Sequence, residues 1–357
     1  MKALVKDQGG IALFLVLWVL TLLSVIAGEF CFAMKTEVNI TRNFKEQTEA
    51  YYIALAGVNR AIAELIKNEV MFPRNASITG LKKEDKDEEE EGKGRWRINV
   101  DIPPEPYGQG QYKVRLGNES GKININGANE GLLKMMLNGF DLEEKEKDII
   151  VDSILDWRDK DDLHRTNGAE SDYYQSLPEP YACKNADFDS VEELLLVRGV
   201  TPEIFYGGLM NMVTAFKAEE KGAGVGQALR SVRADVGKIN INAAPRQLLM
   251  ALPSMTEDLV QKIMDYRKTS DFESLSQLQL IVGSEVYARI SPYITVETSP
   301  YFTIRSVGEM MEGRIRQGVE AMVEIDKKSK KGYRMAQWRD SSRDLEADAS
   351  DSEENNG

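Results

Sequence analysis

The feature that most constrains this 357-residue chain is an N-terminal helical pattern that continues well beyond one membrane span. Residues 11–28 carry no charge and would form about 27 Å of helix, close to the hydrocarbon thickness of a bilayer. Apolar or small residues then recur in steps of three and four from Met34 to Leu65, with no proline before Pro73. The pattern predicts one helix over 11–67, roughly 85 Å long, in which an amphipathic stem follows the membrane segment.

A short basic leader precedes the apolar segment. Lys2 and Lys6 come before Gly10, and the apolar residues begin directly at Ile11. An ordinary secretory signal cleaved after Ala27 is the alternative interpretation. Such a signal would be followed by an unrelated mature start, whereas here the helical pattern continues, so the sequence favours a segment that is kept. The junction resembles the site at which prepilin peptidase cuts after glycine, and methylation is expected with that processing.

Composition argues against several classes of function. The chain has 45 Lys and Arg against 58 Asp and Glu, a net charge of -13, which argues against a large nucleic-acid surface. Histidine-based catalysis would depend on His164, because the sequence has one histidine. The two cysteines, Cys31 and Cys183, have no Cys or His spaced for zinc. The sequence also has no phosphate-binding loop and no nucleophile motif, so we expect that the protein is not an enzyme.

Segments with strand patterns occur before and after a helical region. Residues 95–102 and 111–116 alternate polar with apolar side chains across a Pro- and Gly-rich connection, which predicts a β-hairpin. The later predicted strands are 301–307, 314–325 and 333–338. The charge-dense stretch 82–94 predicts a solvated loop, and the acidic residues from Asp340 onward predict a disordered tail.

The region between these strand segments contains an internal repeat. Four landmarks occur twice in the same order, which indicates two copies of one structural unit. The paired landmarks are 121–126 with 237–242, 132–133 with 248–249, 154–158 with 263–267, and 188–194 with 272–278. The copies extend over about 121–200 and 237–284, and they predict an all-α domain inserted between two parts of the sheet.

The repeat unit resembles helix-hairpin-helix modules, so a membrane-anchored periplasmic DNA-binding protein is the alternative function. Such hairpins hold phosphate groups through backbone amides at a Gly-x-Gly turn, usually beside basic residues. The first copy keeps Gly199 of this turn, and the second copy has no glycine over 253–256. Acidic residues adjoin both turns, namely Glu203 in the first copy and Glu257 and Asp258 in the second. The local charge therefore argues against DNA binding.

The first copy is longer because of an acid-rich insertion. Its connection 159–187 has 29 residues, whereas the equivalent connection 268–271 has four. Carboxylates in the insertion are hard oxygen ligands with almost no nitrogen or sulfur competition, a set that favours calcium over zinc. Asp159, Asp161 and Glu170 fit positions 1, 3 and 12 of an EF-hand, but the turn glycine is missing, so the loop is not an EF-hand. A solvated acidic loop without a metal is the alternative.

Taken together, these features resemble the minor pseudopilin K family of the type II secretion system, also called general secretion pathway protein K. The most specific matches are the junction 10–11 with Leu15, the paired segments 122–126 and 238–242, and the runs 154–159, 167–170 and 188–200. The resemblance implies an α+β, pilin-like fold, with a long N-terminal helix packed on an antiparallel sheet and a large inserted all-α domain of two helix-hairpin-helix-like repeats. The expected boundaries are 1–10 for the prepilin leader, 11–72 for the transmembrane helix and stem, 73–120 for the charged loop and first part of the sheet, 121–297 for the inserted domain, 298–339 for the second part of the sheet, and 340–357 for the acidic tail.

The resemblance also implies a function. Members of the family form the tip of the periplasmic pseudopilus with minor pseudopilins I and J, where they cap and help to nucleate it for the export of folded proteins across the outer membrane. The other expected partners are the major pseudopilin, prepilin peptidase and the inner-membrane assembly platform, with no nucleic acid. The expected location is the inner membrane, with one membrane pass and a periplasmic C-terminal domain, and the pseudopilus tip after assembly.

Particular residues acquire expected roles from the resemblance. Gly10 and Ile11 would form the processing site, and the stem stripe 34–65 would pack against neighbouring stems. Most pilins have glutamate as the fifth mature residue, where this chain has Leu15, a difference that suits a subunit with no neighbour above it. Members of the family bind calcium in the helical domain, which nominates as ligands Asp159, Asp161, Glu170 and Asp172. Some relatives have a disulfide in the soluble part, for which Cys183 has no soluble partner here.

Overall fold

The computed structural model describes residues 9–71, 96–215, 237–311, 315–326 and 329–341. The first eight residues of the predicted leader, the charged loop 82–94 and residues 342–357 of the predicted tail lie outside the described residues. The predicted start of the tail at Asp340 is wrong, because Asp340 and Ser341 belong to a strand. Within the described ranges the fold is α+β, as predicted. A long N-terminal helix packs on an antiparallel sheet, and a mainly helical domain is inserted between two parts of that sheet. The domain was predicted to be all-α, but its described part also contains four short strands.

The helices and strands of the described ranges are as follows. The helices are α1 (Gly9–Met71), α2 (Glu130–Met136), α3 (Glu144–Arg158), α4 (Ser171–Gln175), α5 (Pro202–Ile204), α6 (Met210–Met212), α7 (Arg246–Ala251), α8 (Glu257–Thr269), α9 (Leu275–Val282) and α10 (Ser284–Ile290). The strands are β1 (Glu105–Tyr107), β2 (Gly110–Asn118), β3 (Ile123–Asn124), β4 (Val213–Thr214), β5 (Ile239–Asn240), β6 (Ile294–Thr295), β7 (Tyr301–Met310), β8 (Arg316–Ile325) and β9 (Tyr333–Ser341).

The α1 helix is continuous over 63 residues, which confirms the predicted passage from membrane segment to stem. Its N-terminal part contains a stretch long and apolar enough to cross a membrane, and the described side chains of that stretch are exposed. From Ala50 onward the helix packs against β2, β7 and β8. The prediction that the whole stripe 34–65 faces neighbouring stems is therefore wrong for its second half, because Val58, Ile62 and Leu65 are buried against the sheet of the same chain.

The main sheet has the order β1-β2-β7-β8-β9, with every neighbouring pair antiparallel. Small residues bring α1 close to it: a side chain at Gly57 would overlap the Ser306 hydroxyl, and one at Gly308 would overlap the Ala50 carbonyl. The helix and the sheet consequently share one core. The register also orients the molecule, since Gly308 lies beside Ala50, whereas Gly332, just before β9, lies beside Ile66.

The predicted hairpin forms in a different place. Residues 96–102 contain no strand, and the hairpin consists of β1 and β2, joined by a turn in which Gly108 has a φ of 60°. The polar side chains of the earlier segment bond to the inserted domain instead. Arg97 donates to Asp271 at 2.7 Å, and Asn99 donates to the Ala243 carbonyl at 2.8 Å. This segment is therefore a bridge between the two parts of the fold.

The inserted domain contains the two predicted copies, each closed by a pair of short parallel strands. β3 pairs with β4 in the first copy, and β5 pairs with β6 in the second. These closing strands extend the copies to residues 214 and 295, beyond the predicted ends at 200 and 284. The same side chains hold both copies. Asn126 and Asn242 each donate to and accept from the backbone of the phenylalanine that follows the connection, Phe188 or Phe272.

Candidate metal centre

Three carboxylates of the first copy meet where α3 ends. Asp156 and Asp159 are three residues apart, so the helix places them on one face, and Glu170 comes directly before α4. One ligand-capable atom of each residue lies within 4.8 Å of the others. The structure thus brings together two of the predicted ligands, Asp159 and Glu170, and adds Asp156.

The acid-rich insertion buries these carboxylates against α3. Asp156 and Glu170 are almost completely buried, and Asp159 is partly buried. Gly168 allows the insertion to approach, because a Cβ at this position would overlap the Asp156 carboxylate. The backbone N–H of Arg165 donates to Asp156 at 3.1 Å, and the Arg165 guanidinium lies 3.3 Å from the same carboxylate. The loop therefore folds around the end of the helix.

Burial disfavours the charged forms of all three acids. It raises the pKa of Asp156 to about 6 and the pKa of Glu170 to about 7, and the neighbouring carboxylates add to both shifts. Burial also raises the pKa of Asp159, and the negative charge of Asp161 raises it further. Desolvation is the largest cause in each case, which is the behaviour of carboxylates held close together away from water.

Buried oxygen atoms at this place lack hydrogen-bond donors. Within the described residues, no nitrogen or oxygen donor reaches either carboxylate oxygen of Glu170 or Oδ1 of Asp159, and the Cys183 thiol is the one weak donor beside Glu170. A buried carboxylate without a donor costs several kcal/mol unless a charge compensates it. Arg165 pairs with Asp156 and Asp159, and the charge of Arg158 also acts on Asp159, whereas Glu170 has no such ion pair in the part of the chain that the structure describes. The residues present therefore fit a hard divalent cation, and Asp156, Asp159 and Glu170 could hold one.

Two other predicted ligands lie outside this group of three. Asp161 accepts a hydrogen bond from the backbone N–H of Leu163 in the exposed part of the insertion. The Asp172 side chain is 74% exposed and lies 3.7 Å from His164. Asp161 and Asp172 remain predicted ligands that this arrangement does not bring to the three carboxylates.

The sequence contained a signal for Asp156 that its interpretation missed. This residue belongs to the repeat landmark 154–158, so it was explained as part of the helical frame. Its spacing of three from Asp159 on a predicted helix was the available evidence for a shared face. The equivalent residue in the second copy, Asp265, is an exposed surface acid that pairs with Lys268 at 2.9 Å.

An aromatic layer lies beneath the carboxylates. Trp157, next to Asp156, packs edge-on against Tyr174 with ring centres 5.2 Å apart, and Tyr181 and Phe188 complete the layer. Cys183 is buried at the same place, with its sulfur 4.0 Å from the Asp156 carbonyl oxygen. Burial raises the pKa of the Cys183 thiol to about 12, so the thiol is uncharged. This apolar floor excludes water from one side of the site.

The chain matches two family models. Residues 115–218 match the family "Type II secretion system (T2SS), protein K", and residues 235–295 match the "Helix-hairpin-helix motif". The second match agrees with the predicted resemblance of the repeats, and it does not favour DNA binding. The acids beside that hairpin are present in the structure, where Glu257 pairs with Arg246 and Asp258 pairs with Lys262.

Curated relatives cover most of the chain. It is 24% identical over 335 residues to "Type II secretion system protein K" of Aeromonas hydrophila, which spans 87% of this chain and 92% of that protein. It is 25% identical over 177 residues to the protein of the same name from Pectobacterium carotovorum subsp. carotovorum, over 44% of this chain and 49% of that protein.

A solved structure shares the fold. It belongs to the GspK-GspI-GspJ complex of the enterotoxigenic Escherichia coli type 2 secretion system, with a TM-score of 0.57 and 17% identity. The match covers 85% of this chain and 100% of the solved one. The long helix, the antiparallel sheet and the inserted repeats are therefore a known combination. Together, the family model over 115–218, the two curated relatives and the shared fold show that the chain is similar to type II secretion system protein K.

Proposed function

We propose that this chain is a minor pseudopilin that forms the tip of the periplasmic pseudopilus, where it caps the filament and helps to nucleate it for the export of folded proteins across the outer membrane. The observation that carries the proposal is the position of the inserted domain. The domain leaves the sheet after β2 and rejoins it before β7, so both crossings lie at the same end of the sheet. That end is near Ile66 and far from the membrane segment of α1. A large domain there would obstruct the stacking of another subunit above this one.

The crossing is a rigid one, which a cap requires. Glu119 is buried between the two chain crossings, where it accepts from Thr303 and pairs with Lys122 at 3.0 Å. Gly121 lies against the backbone of Ala243, with no room for a side chain. The inserted domain is thus held against the sheet by packing and by buried polar contacts on both strands that lead to it.

Processing and assembly complete the proposal. Prepilin peptidase would cut between Gly10 and Ile11, and the new amino terminus would be methylated. The retained helix would anchor the subunit in the inner membrane with its C-terminal domain in the periplasm. Leu15 would then be the fifth mature residue, and a subunit without a neighbour above it needs no carboxylate there.

The proposed partners follow from the exposed half of the stem and from the solved relative. Met34, Val38 and Phe44 are exposed on α1 before the helix reaches its own sheet, and they are available to neighbouring stems. The solved protein was crystallised in a complex named GspK-GspI-GspJ, so we propose minor pseudopilins I and J as direct partners. The major pseudopilin and the inner-membrane assembly platform would contact the chain during filament growth. No catalytic step is part of the proposed role.

We also propose that calcium binds at the candidate metal centre. Asp156, Asp159 and Glu170 would hold it, and the exposed residues Asp161 and Asp172 are further candidates from the same insertion. When bound, the ion would neutralise the buried carboxylates and fasten the insertion to α3. The experiment is terbium luminescence of the full chain in detergent, with Trp157 as the nearby sensitiser. Sensitised emission that calcium displaces supports the site, whereas emission unchanged in Asp156→Asn and in Trp157→Phe would contradict it.

The tip position is tested by labelling filaments. Pseudopili assembled from wild-type subunits are decorated with gold-labelled antibody against this chain and viewed by electron microscopy. Label at one end of each filament is the expected result, and label along the shaft would exclude a cap. Gly10→Val, which should block processing, is expected to abolish filament labelling, whereas the adjacent Gly9→Ala should leave it unchanged.

A further inference from the structure

We infer that β9 is a docking edge for another protein, which adds an extended strand with alternating acidic and apolar side chains to the main sheet. The inference starts from a difference between the two edges. β1 has three residues, and its Pro106 has no N–H to offer a new strand. β9 has nine residues and no proline, and no described strand pairs with its outer side. Proteins usually protect such an edge, because it presents a row of backbone donors and acceptors.

The side chains of β9 are exposed on both faces. Its neighbours on β8, Ala321 and Val323, are fully buried beneath α1, whereas their partners on β9, Trp338 and Met335, are 37% and 39% exposed. α1 therefore covers the sheet as far as β8 and reaches β9 only through Tyr51, which interacts with Asp340 and Trp338. A large aromatic and a flexible apolar side chain on an open edge are typical of a protein contact. The pairing of β9 with β8 is regular except for one register shift, opposite Met322 and Val323.

Charge indicates the chemistry of the incoming strand. Residues 329–341 contain Lys330, Lys331, Arg334 and Arg339 against Asp340, so this edge is positive in a chain with a net charge of -13. Arg334 and Arg339 already contact carboxylates, at 3.5 Å from Glu324 and 2.8 Å from Glu192. Arg334 is held by the buried Glu324 and by Asp326, whereas the Arg339–Glu192 pair is exposed on both sides. An exposed pair of this kind is weak, so Arg339 can be shared with a further carboxylate. Acidic side chains are therefore the complementary ones.

A second copy of this chain fits the edge poorly. If two β9 strands paired antiparallel, the two α1 helices would point in opposite directions and could not enter the same membrane. In a parallel, in-register pair the helices would agree, but Arg334 would face Arg334 and Arg339 would face Arg339. Like charges directly opposite each other destabilise a strand pair. The occupant is therefore a different protein, recognised by strand addition.

The test uses the full chain in detergent micelles and a capped nonapeptide of alternating glutamate and valine. Hydrogen-deuterium exchange of the β9 amides should slow at least tenfold when the peptide is present, while exchange in β1 should not change. The same peptide with lysine in place of glutamate, and one with alternate backbone nitrogens methylated, should have no effect. Equal protection by the lysine peptide, protection located outside β9, or no protection would each overturn the inference.

A matched pair of variants makes the result independent of folding. Met335→Ser combined with Trp338→Ser removes the exposed apolar pair from β9, and Tyr107→Ser removes a comparable exposed side chain from β1. The β9 variant should lose the peptide-induced slowing, and the β1 variant should keep it. Exchange in α3 should match the wild type in both. Slowing that persists in the β9 variant would contradict the role given to Met335 and Trp338 and overturn the docking edge.

Discussion

The two copies of the repeat place the same aspartate in opposite environments. Asp156 and Asp265 occupy equivalent positions on equivalent helices. Burial raises the pKa of Asp156 to about 6, whereas Lys268 lowers the pKa of Asp265. The residue type and the helix are the same, so the difference comes from the insertion, which covers the first aspartate and leaves the second in solvent. A connection 25 residues longer has turned a surface acid into part of a metal centre.

The two copies share a structural frame, formed by an arginine at the end of the equivalent helices and the backbone turn that it bonds to. Arg158 donates to the carbonyls of Ile125 and Ala128, and Arg267 donates to those of Ile241 and Ala244. These contacts satisfy backbone groups of the turn after the first short strand in both copies. The frame therefore supplies stability in each copy, and the insertion supplies the chemistry of the first.

The largest effect should come from removing the buried carboxylates. Calcium at about 100 times its dissociation constant should stabilise the wild-type chain by about 2.7 kcal/mol. Asp156→Asn combined with Glu170→Gln should abolish this gain, because two of the three proposed ligands lose their charge. Asp265→Asn, the matched change in the second copy, should keep the full gain. The measurement is thermal unfolding in calcium and in EDTA, and a gain retained by the double variant would reject the site.

Without metal, the stability that the first copy contributes should decrease as pH rises. Well below about pH 4 the carboxyls of Asp156 and Glu170 are protonated in the folded and unfolded chains alike. Between about pH 4 and 7 the folded chain keeps protons that the unfolded chain has lost, since burial raises both pKa values. The stability that they contribute therefore falls as pH rises through this range. In EDTA, the melting temperature of the wild type relative to the double variant should decrease from pH 4.5 to 7.5.

Calcium should remove that slope, because a bound cation favours the charged carboxylates at every pH in the range. Asp265 gives the opposite sign, since its lowered pKa adds stability above its unfolded value that is lost on acidification. A wild-type curve parallel to that of the double variant in EDTA would show that the buried acids are solvated, and the contrast between the copies would disappear.

A smaller effect should come from the asparagines that the copies share. Asn126 donates to the Phe188 carbonyl at 3.0 Å and to the Ala215 carbonyl at 3.2 Å, and Asn242 donates to the Phe272 carbonyl at 2.9 Å. Replacing either by alanine leaves backbone groups unpaired and should cost about 2 kcal/mol. Chemical denaturation of the two variants should give similar losses. A loss confined to one copy would show that the frames are not equivalent.

The sequence predicted the elements that depend on periodicity and missed those that depend on long-range contacts. Steps of three and four gave the helix through Leu65, and self-similarity gave both copies. The strand expected over 95–102 does not form in its described part, because Arg97 and Asn99 bond to residues more than 140 positions away. The partner predicted for the stem from Ala50 onward was wrong for a related reason. An amphipathic stripe does not reveal whether the sheet of the same chain or a neighbouring subunit covers it.

The sequence predicted the type of candidate site, a hard-cation site, but not all of the residues that form it. An insertion rich in acids and poor in nitrogen and sulfur indicated a hard cation, and two of its residues do meet. Asp156 was missed because its burial depends on Gly168 and on how the loop returns over α3. Sequence spacing gives only the order of the acidic residues along the chain. The residues of the site are those whose carboxylates the folded loop encloses.

The smallest expected effect comes from adding one methyl group where the insertion packs against Asp156. Gly168→Ala places a methyl group against the Asp156 carboxylate, so the loop must move and should lose about 1 kcal/mol of stability. Gly131→Ala, on α2 where a Cβ would make only an ordinary contact with Asn129, should be neutral or stabilising, because alanine favours a helix over glycine. Terbium titration of both variants should show weaker binding in Gly168→Ala alone. If Gly168→Ala binds as tightly as the wild type, the insertion adapts freely, and the long connection does not by itself separate the first copy from the second.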